Sequence, residues 1–176
     1  SILGELEFTG GSNSVNMLRV SNASGDGFNV SAGSINMSYV LVDNSSGKAI
    51  VISDTADAAI ANVTLYGNGY GLYDNSSGTI TMVNSIVWGN SGSYQFYFGS
   101  DGNDAAAITV NNICSRGTEF LDTSYDIIPA YGFGVQNSGV LYATDPTGSN
   151  NINDNPAFVN SDGGDYSLLD YSPAIG

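Results

Sequence analysis

The sequence predicts an all-β protein built as a parallel β-helix, a single-stranded solenoid of short strands. Three observations predict it. An asparagine recurs at Asn22, Asn44, Asn68 and Asn90, at intervals of 22, 24 and 22 residues. Self-similarity at a period in the low twenties marks a stacked repeat. Each asparagine is followed two or three places on by a glycine (Gly25, Gly47, Gly71, Gly92) and preceded by a short apolar run, such as Tyr39–Val42 or Val63–Tyr66. Finally, apolar and polar residues alternate in short stretches, and the three-to-four spacing of an amphipathic helix is missing.

Aligned on the asparagines, the runs give three strands per coil of about 22 residues. The first strand carries Val15/Met17, Ile35/Met37, Ile60, Ile80/Met82 or Ile108/Val110. The second carries Leu18/Val20, Val40/Val42, Val63/Leu65, Ile86/Trp88 or Ile113. The third carries Phe28/Val30, Ile50/Ile52, Leu72 or Phe96/Phe98. Strand formers at alternate positions point one row of side chains inward. About seven coils stacked at roughly 4.8 Å would make a rod about 35 Å long. Asparagine tolerates the left-handed turn conformation, and its amide can bond to the like residue one coil on. Asn22, Asn44, Asn68 and Asn90 are therefore expected to form a structural ladder at one corner. The regular coils span about 14–100, and the period weakens over 101–176, where longer loops intervene. No linker divides the chain, so 1–176 reads as one β-helix domain.

Composition narrows the function. Of 176 residues, 41% are apolar and only 11% charged, with 11 Tyr and seven Phe. Polarity comes from Asn, Ser, Thr and Gly instead. The net charge is −14, from 17 acidic residues against Arg19, Lys48 and Arg116, and histidine is absent. Such a surface repels nucleic acid and anionic lipid, whose binding needs clustered cations. No apolar run is long enough for a membrane helix, so membrane insertion is not expected. Cys114, the single cysteine, cannot close an internal disulfide; it is either a small buried hydrophobe or the donor of an intermolecular bridge. Ser1 opens the sequence with no visible signal peptide, which reads as a mature or excised piece.

Two stretches resemble a known family. Thr81-Met-Val-Asn-Ser-Ile-Val-Trp-Gly-Asn90 is similar to a coil of the right-handed parallel β-helix repeat proteins of bacterial secretions and cell surfaces. Asn155-Pro-Ala-Phe-Val-Asn160, Gly164-Asp-Tyr-Ser-Leu168 and Ser172-Pro-Ala-Ile-Gly176 are similar to their closing motif. The resemblance implies a right-handed helix and an extracellular or cell-surface location; it implies no single activity. Asn155 departs from the family's aspartate, and the chain stops at Gly176 where the family continues.

Catalysis is not expected. Polysaccharide lyases of this fold use an Arg or Lys base with calcium-binding acids, and the three cations here are scattered. Hydrolases need acids clustered on adjacent coils, and no acid recurs in register. Serine and cysteine nucleophiles lack a histidine base, and zinc lacks His and paired Cys. No cofactor is implied except calcium. Asp101, Asn103 and Asp104, and Asp162 and Asp165, sit in glycine-bearing loops of hard oxygen ligands; the plain alternative is that they are turns. Of six Asn-x-Ser/Thr sequons, Asn29, Asn36 and Asn75 are the candidates for glycosylation, whereas Asn22 and Asn44 belong to the ladder. Thr64, Thr79, Thr81 and Thr109 do not make the flat column an ice-binding face needs. Tyrosines such as Tyr70, Tyr73 and Tyr97 could stack on sugars or pack on one another.

A β-helix leaves an open strand edge at each end, and no capping helix is evident. Ile2, Leu3, Leu6 and Phe8 at one end, and Tyr171 and Ile175 at the other, are the candidate assembly residues. The expected function is a non-catalytic extracellular structural protein, a cell-surface or filament subunit stacking head to tail on copies of itself and adhesive to a surface or glycan ligand. The alternative is a carbohydrate-binding or polysaccharide-degrading β-helix.

Overall fold

A computed structural model gives the structure over residues 4–91, 95–100, 107–115, 127–128, 133–137, 152 and 154–175. The first coil contains β1 (Leu6–Phe8), β2 (Ser12–Asn16) and β3 (Arg19–Ser21); the second contains β4 (Phe28–Val30), β5 (Ser34–Ser38) and β6 (Leu41–Asp43). The third contains β7 (Lys48–Asp54), β8 (Asp57–Ala61) and β9 (Thr64–Tyr66). In the fourth, β10 (Tyr70–Ser76) is followed by β11 (Thr79–Trp88), which bends through two faces. Then come β12 (Phe96–Ser100), β13 (Ala107–Ser115), β14 (Ile127–Ile128) and β15 (Phe133–Asn137). Last are β16 (Phe158–Asn160), a 3-10 turn (Ser161–Gly163) and β17 (Asp165–Leu168).

The strands stack in parallel as a β-solenoid of about four turns, with a repeat of about 22 residues. Face 1 is β2-β5-β8-β11-β13; face 2 is β3-β6-β9 and the second half of β11; face 3 is β1-β4-β7-β10-β12-β15. Inward side chains fall in columns. On face 3 Phe28, Ile50, Leu72 and Phe96 are in register and fully buried. On face 1 Met37, Ile60, Met82 and Val110 align, and on face 2 Val20, Val42, Leu65 and Val87. Each such side chain contributes about 1.5–3 kcal/mol on leaving water. Outside face 1, Thr81 and Thr109 are neighbours, but Ala59 precedes them, so that column is short.

Two strands sit away from the sequence expectation, the first by two residues and the second by one. In the first coil Val15 aligns with Met37, and Met17 is a corner residue, 80% exposed, rather than a strand residue. In the fourth coil Ser85 and Val87 point inward, while Ile86 and Trp88 point outward. Ile86 and Trp88 are larger than Val87, but Val87 continues the column of Leu65 and Val42, and register decides.

The corners are left-handed. Between faces 1 and 2 stand Met17, Tyr39, Asn62, Asn84 and Asn112, with φ of 53°, 53°, 54°, 49° and 54°. Between faces 2 and 3 stand Asn22 and Asn44 (55° and 57°), then Gly67 and Gly89 (68° and 67°). At Gly67 a Cβ would also lie 2.8 Å from Asn44 Oδ1, so glycine there answers both strain and space. Corner amides still pair with the next coil, as Met17 N–H to Ser38 O (3.1 Å) and Asn22 N–H to Asp43 O (2.9 Å).

Candidate functional site

The outer side of face 2 is not left to solvent. Its outward rows are Arg19–Leu41–Thr64–Ile86–Cys114 and Ser21–Asp43–Tyr66–Trp88. Over them lies the segment 154–175, a strap whose strands β16 and β17 pair antiparallel with each other and add to neither solenoid sheet. The Asn160 side chain accepts from Gly163 N–H (3.0 Å) and Gly164 takes the left-handed conformation at 78°, which closes the tight turn.

Asp43 anchors the strap. It is fully buried, and its carboxylate accepts from Arg19 Nε (2.9 Å) and Nη2 (2.8 Å), Ser21 Oγ (3.0 Å), Asn44 Nδ2 (3.1 Å) and Tyr166 Oη (3.3 Å). A buried charge is tolerated only when its lone pairs are met in this way. Arg19 also donates to Gly164 O (3.5 Å) and lies over the Tyr166 ring at 5.8 Å. Burial, and then the negative Asp43, push the Tyr166 phenol up to about 12. Higher on the face, Tyr66 meets Phe158 edge-on (5.5 Å, 89°) and Tyr166 at 5.0 Å, and donates to Ser161 Oγ (3.1 Å).

Beside this contact the strap leaves two clefts. One, of about 550 Å³, is bordered by Tyr66, Trp88, Asn155, Phe158, Ser161 and Tyr171. The other, of about 810 Å³, runs between the corner residues Asn62, Asn84 and Asn112 and the strap residues Leu168, Pro173 and Ala174. Pro173 borders both. Cys114 lines the larger cleft, but it is 3% exposed, donates to Asp154 O (3.2 Å), and burial raises its thiol to about 12. A thiol held that high is a poor nucleophile.

The four spaced asparagines separate into two pairs. Asn22 and Asn44 are exposed left-handed corner residues, and each amide bonds to its own neighbour, Ser21 or Asp43. Asn68 and Asn90 are buried one position later, where the earlier coils have Ala23 and Ser45. There a true amide ladder runs from Ser45 N–H to Asn68 Oδ1 (3.0 Å) and from Asn68 Nδ2 to Asn90 Oδ1 (3.0 Å). Asn90 Nδ2 then donates to Gln95 Oε1 (2.8 Å). A single column through all four is therefore replaced by an exposed pair and a buried pair, because the 24-residue interval between Asn44 and Asn68 shifts the position by one.

Other expected site residues are dispersed. Ile2, Leu3, Asp101, Asn103 and Asp104 lie outside the described residues. Asp162 and Asp165 are exposed on the strap; the Ser167 hydroxyl, and then the Ser167 N–H that Asp165 accepts from (3.0 Å), hold the Asp165 carboxyl below the usual range. Among the described residues no group of three or more Cys, Asp or Glu side chains gathers around a shared point. Leu6 and Phe8 face the core in the first coil and are partly covered. Tyr171 (77% exposed) and Ile175 lie on the strap, alongside the coils. Asn36 is exposed outside face 1, whereas Asn29 and Asn75 are half-buried outside face 3. Also there, Tyr73 stacks on Tyr97 (4.2 Å, 5°) and Lys48 Nζ sits 4.8 Å from its centroid, one coil the other way. Both faces of Tyr73 are thus occupied.

Sequence reasoning missed the strap-facing row. Its signal was present: Tyr66 and Trp88 fall 22 residues apart at matching outward positions. No protein-family model, no curated protein and no solved structure matches the chain.

Proposed function

We propose that the protein is a non-catalytic structural solenoid of an extracellular or cell-surface assembly, in the manner of the bacterial right-handed β-helix repeat proteins, and that copies add head to tail at the first coil. One observation carries this reading. Strands β1, β2 and β3 each pair on one side only among the described residues, with β4, β5 and β6. Beneath those edges Leu6, Phe8, Val15 and Leu18 are only partly covered. A parallel edge over an unfinished apolar floor is a template for one more coil, and a contact that does not close on itself makes a filament. Glu5 and Glu7 stand exposed at this end, so with a net charge of −14 assembly is favoured by salt or divalent cations.

Electron microscopy and light scattering across protein concentration, with and without sodium chloride and calcium, test the reading. Filaments or concentration-dependent oligomers are expected, and Phe8→Asp should abolish them while leaving the far-ultraviolet circular dichroism of the solenoid. Monomers at every concentration and salt would count decisively against it.

A further inference from the structure

We infer that the two clefts under the strap form one binding site for a neutral oligosaccharide, with Trp88 and Tyr171 as its stacking surfaces. Their volumes of about 550 and 810 Å³ are those of ligand-sized clefts, and they meet at Pro173. None of the described residues lining either one is charged, although the chain carries a net charge of −14 and exposed Asp162, Asp165 and Asp170 lie on the same strap. An anionic chain is repelled by the surrounding field, and a cationic one finds no counter-charge among the described lining residues. A neutral ligand remains.

The polar groups favour hydroxyls. The Trp88 indole N–H has no hydrogen-bond partner among the described residues and borders the smaller cleft. Asn155 uses Oδ1 for Ala157 N–H (2.9 Å), which leaves its NH2 group to donate. Across Pro173, Asn62, Asn84 and Asn112 present one amide per coil, and Asn112 Nδ2 donates to Asn84 Oδ1 (2.9 Å). Amides both donate and accept, as sugar hydroxyls do. A proline-rich peptide would also use the aromatic surfaces, but its carbonyls only accept. Tyr171 is 77% exposed, and its ring is available to the apolar face of a pyranose. Among the described residues no carboxylate lines either cleft, and the inference is of binding alone.

Trp88 is the only tryptophan in the chain, so its fluorescence reports on the site directly. The test titrates the full chain with neutral xylo-, manno-, cello- and chito-oligosaccharides, with oligogalacturonate and a proline-rich peptide as controls. At least one neutral series should give a saturable emission shift and protect Trp88 from acrylamide, and Tyr171→Ala should weaken it about tenfold. Oligogalacturonate should do neither. Silence from every neutral series at millimolar concentration overturns the inference. So does binding that Tyr171→Ala leaves unchanged, or a response to the peptide alone.

Discussion

Asn68 donates from its side-chain amide to Oδ1 of Asn90, one coil on, across 3.0 Å in a fully buried corner. The same NH2 group reaches Val42 O (3.0 Å), and Asn68 Oδ1 takes the Ser45 N–H (3.0 Å). Removing it leaves the buried Ser45 N–H without its acceptor and takes a donor from Val42 O and from Asn90 Oδ1, on the coils to either side. Asn68→Ala should cost about 3 kcal/mol in urea denaturation. Asn22→Gly, at an exposed left-handed corner, should stay within about 0.5 kcal/mol of the parent. Equal losses at the two positions would mean that burial of the ladder is not what matters.

Asp74 occupies an inward place on face 3, in the column of Val30 and Ile52. Its Oδ1 accepts from Ser76 N–H (2.9 Å), and its buried Oδ2 has no partner. Burial lifts the carboxyl to about 6, against which the Ser76 bonds act only weakly. The folded state therefore holds this proton more tightly than the unfolded chain. The associated stability is full below about pH 4, the unfolded value, and is lost as pH rises through about 6. Ionisation between about pH 4 and neutral pH therefore removes about 3 kcal/mol of folding stability. Asp74→Asn should be more stable than the parent at pH 7.5 by about 1–2 kcal/mol, after allowing for the new amide's own unmet donors. Urea midpoints of the two proteins should converge near pH 4. A constant difference from pH 4 to 7.5 would contradict this account.

Met17 and Tyr39 hold the left-handed corner that the next coils give to Asn62, Asn84 and Asn112, and they are 80% and 61% exposed. Neither side chain gains enough packing to offset the backbone strain, which costs about 1 kcal/mol or more per residue. Met17→Asn and Tyr39→Asn should each raise stability by about 0.5–1 kcal/mol, read as an increase in thermal midpoint. A loss at either would show that its side chain makes contacts worth more than the strain.

Arg19 is the cation that matches buried Asp43, and the bond is bidentate. Arg19→Ala leaves that carboxylate uncompensated and should cost about 3 kcal/mol. Tyr166→Phe removes one of five donors and should cost about 1 kcal/mol. Hydrogen exchange should show both losses first as faster exchange in β17 and the 3-10 turn beside it. Unchanged exchange there in Arg19→Ala would mean that the strap is held by its aromatic contacts alone.

Much of the fold was legible because a solenoid repeats its local rules. The columns of Val20, Val42 and Leu65, and of Phe28, Ile50 and Leu72, follow from alternation and a period of about 22 residues. Single-residue offsets were not legible. Asn44 and Asn68 look equivalent in sequence, yet one corner is completed by Asn44 itself and the next by Gly67, with Asn68 turned into the core. Composition cannot distinguish Ile86 and Trp88 outward from Ser85 and Val87 inward, because the larger apolar side chains are the ones outside. They border the clefts beside the strap, whose own contact with this face joins residues as far apart as Arg19 and Gly164. No local pattern records it.

The strap also changes how the solenoid comes apart. In a stack whose coils touch only their neighbours, each end can fray while the middle persists, and stability adds up unit by unit. Here one segment grips Asp43 in the second coil, Tyr66 in the third and, through Pro173 and Ala174, the cleft beside Ile113. Loosening any of these coils strains the grip on the others. A linear array is thereby given the cooperativity of a globular domain, and opening becomes closer to all-or-none than to peeling from the ends.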